Sequence, residues 1–312
     1  MQIISFFNKI IKRNTFKNIY TTRSRNFSTP SNFLVFNRET KRIQKNRAAI
    51  DVESSRQVDY LKDEIASRLV DRLLDIKRKF DTVVDLGSGS GHIIKYVDKD
   101  LMNKLIMCDT SEKMLERDKD IKYDDVEVER IIVDEEILPF EEDTLEAVIS
   151  NLSLHWVNDL PGAMIQIRRS LKPDGVFIAS ILGELEREGG VSPRVSPMTN
   201  ISDVGSLLSR AGFTLTTVDV DDLVVNYPTM IELIQDLRSM GENNAIITRR
   251  PYLKRDTLLA ASLIYKDFYG NQDGTIPATF QIGWKPDINQ PKPKSRGSAQ
   301  TASYFYGVNA KH

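Results

Sequence analysis

One cysteine, Cys108, stands in the 312 residues. That excludes an internal disulfide framework and any zinc or iron–sulphur site built from several cysteines. Histidine is almost as scarce: His92, His155 and the terminal His312, with no His-x-Asp pair. Two histidines and a carboxylate facing one metal therefore leave no trace in the sequence, and no metal ligands are assigned. No uninterrupted apolar run approaches the roughly 20 residues that cross a bilayer, so any membrane contact is expected to be peripheral. A basic excess is missing too. Lys and Arg number 43 against 44 Asp and Glu, a formal net charge of -1, which argues against a nucleic-acid partner.

The last absence is local. No acid precedes Glu39, while Lys9, Lys12, Arg13, Lys17, Arg23, Arg25 and Arg38 stand among Phe6, Phe7, Ile10, Ile11, Phe16 and Tyr20. Such an Arg- and Ser-rich, acid-free leader predicts a mitochondrial transit peptide over 1–31, processed near Phe27 and Ser28 in S-R-N-F-S-T. The rest, 40% apolar and 28% charged across the whole chain, suits a globular protein of one large domain with an appendage.

Beyond the leader, Val58, Leu61, Ile65, Leu69 and Leu73 recur at helical steps and predict a helix over 51–79. Short apolar runs at 80–86, 104–108, 128–133, 146–150 and 176–182 read as strands. Between them lie a helix through Val97, a helix in D-T-S-E-K-M-L-E-R capped by Thr110 or Ser111, and one from Pro161 stopped by Pro173 and Gly175. This alternation predicts an α/β fold with a mostly parallel sheet covered on both faces. Further on, 201–212 and 229–241 read as helices, the segment from Thr214 as strand-like, and 255–267 as a last helix before an extended stretch and a polar tail. The expected organisation is a leader (1–31), an N-terminal helical segment (32–80), a ligand-binding core (81–225), a C-terminal helical elaboration facing substrate (226–285) and a flexible tail (286–312).

The stretch V-V-D-L-G-S-G-S-G-H, Val83 to His92, carries the chemistry. Gly87, Gly89 and Gly91 fall at every second position after Asp85. A dinucleotide fingerprint needs its third glycine where His92 stands, and a phosphate-binding P-loop needs a lysine that does not come before Lys95. Asp85 would repel phosphate but pair with a cationic ligand. Asp109, ending the second predicted strand, is placed to accept from ribose hydroxyls, and Asp134, after the third, to reach an adenine edge. A glycine turn with strand-end acids and no phosphate cradle describes an adenosyl-sulfonium site, and S-adenosyl-L-methionine is the common ligand of that kind. Tight-turn glycines and solvated acids are the plainer alternative.

With L-K-P-D-G at Leu171–Gly175, these motifs resemble the core of the class I S-adenosylmethionine-dependent methyltransferases over 83–182. The resemblance implies a Rossmann-like seven-stranded sheet. It implies that Gly87, Gly89 and Gly91 approach the methionine part, Asp109 the ribose, Asp134 and Glu135 the adenine, and that Asn151 faces the sulfonium.

A narrower likeness follows from N-L-S-L-H-W-V-N-D-L-P-G-A-M-I-Q-I-R-R-S-L-K-P-D-G at Asn151–Gly175. It resembles the branch holding the biotin-pathway malonyl-carrier methyltransferase and the mitochondrial complex I assembly factors. D-L-R-S-M-G-E-N-N-A and Y-G-N-Q-D-G-T-I-P-A-T-F-Q-I-G-W-K-P resemble the assembly-factor group in particular. That group is implied to hydroxylate an arginine of a matrix-facing iron–sulphur subunit of complex I. Its implied partners are that subunit and other assembly factors, with peripheral contact to the mitochondrial inner membrane. Hydroxylation comes from the resemblance alone; a conventional methyltransferase acting on a protein or carrier-bound acid, or a non-catalytic assembly chaperone, would share most of these features.

An arginine substrate would suit carboxylates in bidentate geometry. Glu184, Glu186 and Glu188 follow the fifth predicted strand, and Asp219, Asp221 and Asp222 cluster in V-D-V-D-D-L. His155 and Trp156 follow the fourth strand as candidate catalytic residues, the histidine as general base and the tryptophan as a wall for a cation; a packed core pair is the alternative. Cys108, inside an apolar strand, is expected to be buried rather than reactive.

Overall fold

The computed structural model describes residues 34–123, 126–182, 201–225, 227–249, 255–269, 274–288 and 290. The apolar runs form one seven-stranded sheet: β1 (Phe80–Leu86), β2 (Met102–Asp109), β3 (Glu127–Ile132), β4 (Leu145–Asn151), β5 (Leu171–Leu182), β6 (Thr214–Val225) and β7 (Gly274–Trp284). Across the sheet their order is β3-β2-β1-β4-β5-β7-β6. The first five pair in parallel, whereas β7 runs antiparallel to both β5 and β6. The helices are α1 (Arg38–Ala48), α2 (Val52–Gln57), α3 (Tyr60–Leu74), α4 (Glu112–Arg117), α5 (Leu160–Ser170), α6 (Ile201–Ala211), α7 (Met230–Ser239) and α8 (Arg255–Tyr269).

Parallel strands covered on both faces need apolar residues at successive positions, and β1 supplies them: Val83 and Val84 turn to opposite faces and both are fully buried. On one face Val83, Ile149 and Ile178 pack with Leu61, Ile65, Leu69 and Leu73, one stripe of α3. On the other, Val84, Val148 and Phe177 meet Met164 and Ile167 of α5 and Leu208 of α6. Each such aliphatic side chain contributes roughly 1.5–3 kcal/mol by leaving water.

Four local expectations are corrected. The single helix over 51–79 is two, broken at Val58 and Asp59: Val58 is buried, and Asp59 pairs with Arg117 of α4. The helix through Val97 is one 3-10 turn, Ile93–Tyr96, because the Asp98 carboxylate then accepts from Asp100 N (2.9 Å) and Leu101 N (3.1 Å) and turns the chain into β2. The fifth strand starts at Leu171 rather than Val176, and Asp174 takes a left-handed φ of 61° within it. A division at residue 225 would cut the sheet, since β7 lies between β5 and β6.

Of the two candidate caps for α4, Ser111 serves, accepting from Met114 N at 3.2 Å. No helix among the described residues is long and apolar enough to cross a membrane. The leader, and the tail beyond residue 290, lie outside the described residues.

Candidate functional site

Because β1 to β5 are parallel, their carboxyl ends share one edge of the sheet. The chain winds outward from β1 to β2 and β3 in one direction and from β4 to β5 in the other, which opens a crevice between β1 and β4. Asp85 and the glycines lie there at the end of β1, Asp109 ends β2, Asp134 and Glu135 follow β3, and Asn151 ends β4. His155 and Trp156 sit just beyond, in the 3-10 turn Leu154–Trp156. Residues scattered over 85–156 of the sequence thus converge on one edge.

The glycine turn is stitched to β2. Gly87 N and Ser88 N both donate to Cys108 O (2.7 and 2.9 Å), and Gly89 N donates to Asp109 Oδ2 (2.9 Å). All three glycines have positive φ, 78°, 59° and 94°. Their surroundings differ. A Cβ on Gly87 would stand 2.1 Å from Ser153 Oγ and one on Gly91 2.7 Å from Met107 Cε, whereas at Gly89 the nearest atom is 3.9 Å away. Packing requires the outer two glycines, while a Cβ at the middle one would make only ordinary contact with the His92 ring.

Asp85 beside it is fully buried, and neither carboxylate oxygen has a hydrogen-bond partner among the described residues. Burial, reinforced by Asp109 and opposed by Lys45, pushes its carboxyl up to about 8. Ser88 Oγ is buried and unpartnered as well.

The other acids are met by cations from α1. Arg38, Lys41 and Lys45 recur at steps of three and four residues and share a helix face. Lys45 Nζ donates to Asp109 Oδ2 at 2.8 Å. Arg38 donates to Asp134 Oδ1 at 2.8 Å and to Glu135. Glu135 also accepts from Ser153 Oγ (2.6 Å). Burial would raise its carboxyl, but the charges of Arg38 and Lys45 prevail and hold it at about 2. Lys41 Nζ donates to Glu242 Oε2 (2.5 Å) and Gly241 O (2.8 Å) and lies 3.7 Å from the centre of the Trp156 ring.

Glu242, in the loop after α7, gathers three donors. Besides Lys41 it accepts from Lys62 Nζ at Oε1 (3.0 Å) and from Trp156 Nε1 at Oε2 (2.7 Å). His155 Nε2 stands 3.9 Å from Oε2, and burial pushes this imidazole below its ordinary value although Glu242 pulls it up. Asn151 donates to Lys62 O (3.0 Å) and accepts from Ser180 Oγ (2.8 Å). Lys45, Gly89, His92, Asn151 and Glu242 line one cleft of about 20 Å³, room for little more than a water.

Lys41, Lys45, Lys62 and Glu242 were not singled out by sequence reasoning. The signal available for the α1 cations was their helical spacing, and for Glu242 its place in D-L-R-S-M-G-E-N-N-A. Asp219 and Asp221 are taken by Arg72 of α3 (2.6 and 3.0 Å) and do not line the cleft. The side chain of Asp222, and Glu184, Glu186 and Glu188 altogether, lie outside the described residues. Cys108 is fully buried, and burial pushes its thiol far up, so it is unreactive. Asp59, Asp63 and His92 cluster as metal-type donors, but Asp63 is engaged by His92 and Lys95 and Asp59 by Arg117.

Residues 84–179 match the family described as a methyltransferase domain. Over 296 residues the chain is 45% identical to "Arginine-hydroxylase NDUFAF5, mitochondrial" of Danio rerio, a match covering 89% of this chain and 91% of that protein. The chain belongs to the NDUFAF5 arginine-hydroxylase family. A more distant relative is the malonyl-[acyl-carrier protein] O-methyltransferase of a Methylovorus species, 28% identical over 77% of this chain and 87% of that protein. Among solved structures, phosphoethanolamine N-methyltransferase 2 of Haemonchus contortus, in complex with S-adenosylhomocysteine, is similar with a TM-score of 0.50. It is 16% identical, over 77% of this chain and 58% of that one. The narrower likeness read from Asn151–Gly175 and the two later blocks therefore holds, and the fold is that of the class I methyltransferases.

Proposed function

We propose that this protein hydroxylates an arginine of an iron–sulphur subunit of mitochondrial complex I during assembly, on the matrix side of the inner membrane. The carrying observation is near-full-length identity to mitochondrial arginine hydroxylases. The site also suits S-adenosyl-L-methionine: a buried carboxylate and hydroxyl without partners, and a Gly89 whose Cβ position meets no close atom, match a ligand with an ammonium and a sulfonium. In this reading Asp85 and the turn Gly87–Gly91 receive the methionine part, Asp109 the ribose, Asp134 and Glu135 the adenine, and Asn151 faces the sulfonium. Bound there, S-adenosylmethionine supplies an activated methyl group and a fixed positive charge.

The chain's own residues do the rest. Asp109 would hold the ribose hydroxyls in place of the Lys45 ammonium that it binds now. His155, which burial pushes below its ordinary value, would be the base nearest the substrate, and Trp156 walls the substrate side. Methyl transfer to a protein or carrier-bound acid is the second reading. It is favoured by the glycine turn with Asp109 and by the malonyl-carrier relative.

Deleting the gene and weighing arginine peptides of the complex I iron–sulphur subunits separates these readings. A mass of one oxygen present in wild type and lost in the deletion supports hydroxylation. A methyl increment supports transfer, and unchanged masses with assembly lost leave a chaperone.

A further inference from the structure

Glu242 is held as a receptor for cations. Its two oxygens are turned to two different ammonium groups, Lys62 at Oε1 (3.0 Å) and Lys41 at Oε2 (2.5 Å), and the Trp156 indole N–H fixes the carboxylate at 2.7 Å. Above the same indole, 3.7 Å from its centre, lies the Lys41 ammonium, which also donates to Gly241 O. With Lys62 left on Oε1, the indole face, Oε2 and the Gly241 carbonyl, all three now met by Lys41, suit a planar, multidentate cation better than a point charge: guanidinium stacks on indole while its spread N–H groups reach separate oxygens. Glu242 lines the cleft that also contains Gly89 and Asn151, so a cation seated on it would face the adenosyl side of the site.

Lys41 is costly where it is. The residue is 3% exposed, and desolvation pulls its ammonium down to about 7 despite Glu242. It belongs to a helix whose other inward cations, Arg38 and Lys45, cover Asp134, Glu135 and Asp109.

We propose that Glu242 and Trp156 form the subsite for the guanidinium of the substrate arginine, and that Lys41 fills it as an internal stand-in until the substrate displaces it. This rests on the arginine reading above but not on which group is transferred. Glu242 sets specificity by contacting the substrate cation, and Trp156 orients Glu242 and supplies the wall.

The test uses the full chain, N-acetyl-arginine amide as probe and N-acetyl-citrulline amide as its neutral counterpart, with binding followed by calorimetry and by indole fluorescence. Wild type should prefer arginine by tenfold or more, of the order expected for a charged partner. Lys41→Met should tighten arginine binding about tenfold and leave citrulline unchanged, because an internal competitor is removed. Glu242→Gln, which keeps an acceptor for the indole, should erase the preference while melting cooperatively. Equal binding of the two probes by wild type overturns the proposal whatever the variants do, as does a folded Lys41→Met with unchanged or weaker arginine affinity. If arginine is preferred but no hydroxyl mass is found in vivo, the proposed reaction fails and the subsite stands. If the hydroxyl mass is found but arginine is not preferred, the reaction stands and the subsite fails.

Discussion

Replacing Asp85 by asparagine should stabilise the chain and weaken its hold on the cosubstrate. Asp85 is fully buried with both oxygens unpartnered, and its carboxyl is raised from 3.8 to about 8 by burial first and Asp109 second, against Lys45. At neutral pH the unfolded chain carries this group ionised while the folded chain carries it mostly protonated. The folded state thus binds more protons, and stability falls as pH rises from the unfolded to the folded value. At ~1.36 kcal/mol per unit, the cost at neutral pH is roughly 4 kcal/mol. Asparagine is neutral in both states and nearly the same shape, so the variant should gain roughly 2–4 kcal/mol at neutral pH after the poorly partnered amide is allowed for. The gain should shrink by about 1.4 kcal/mol for each unit of acidification toward the unfolded value. Urea titration of both proteins at about pH 5 and about pH 7 reads this directly, because groups not coupled to Asp85 cancel in the difference. A difference independent of pH would mean that Asp85 is ionised in the folded chain, and the reasoning would be wrong. The same variant should bind S-adenosylhomocysteine about 10- to 100-fold more weakly, the worth of one charge-assisted hydrogen bond to its ammonium.

Gly89→Val should fold, at about 1–2 kcal/mol for its left-handed φ, and lose cosubstrate binding because the side chain fills the open side of the turn. Gly87→Ala should instead lose stability by roughly 1–3 kcal/mol through its clash with Ser153 Oγ, and adding Ser153→Gly should restore part of that. Melting curves and calorimetry separate the two, and equal behaviour of both variants would refute the distinction between them. If ribose displaces Lys45 from Asp109, S-adenosylhomocysteine should speed hydrogen exchange of the α1 amides while slowing that of the glycine turn. Slower exchange in α1 would mean that the helix closes over the ligand rather than yielding to it.

The parallel sheet and the acids at its edge were legible because each obeys a local rule. Apolar runs of strand length separated by amphipathic stretches force a covered sheet, and strand-end position alone brings Asp85, Asp109, Asp134 and Asn151 to one side. The placement of β7 was not legible, since strand order beyond a hairpin depends on packing across the whole domain. The packing of helix α1 was not legible for a deeper reason. Its pattern is inverted: Ile43, the bulkiest apolar residue in R-E-T-K-R-I-Q-K-N-R-A, is 47% exposed, while Lys41 and Lys45 are buried. Cations at helical spacing normally mark a solvated face. Here they are held by carboxylates 64 and 201 positions away, which no window of sequence can contain. The inversion also has a functional consequence. A helix docked through an apolar stripe is indifferent to small polar ligands, whereas one docked on the acids proposed to bind ligands would compete with every ligand those acids accept. Binding energy from cosubstrate and substrate would then go partly into releasing α1, so the two ligands should assist each other: whichever binds first frees Asp109 or Glu242 for the other.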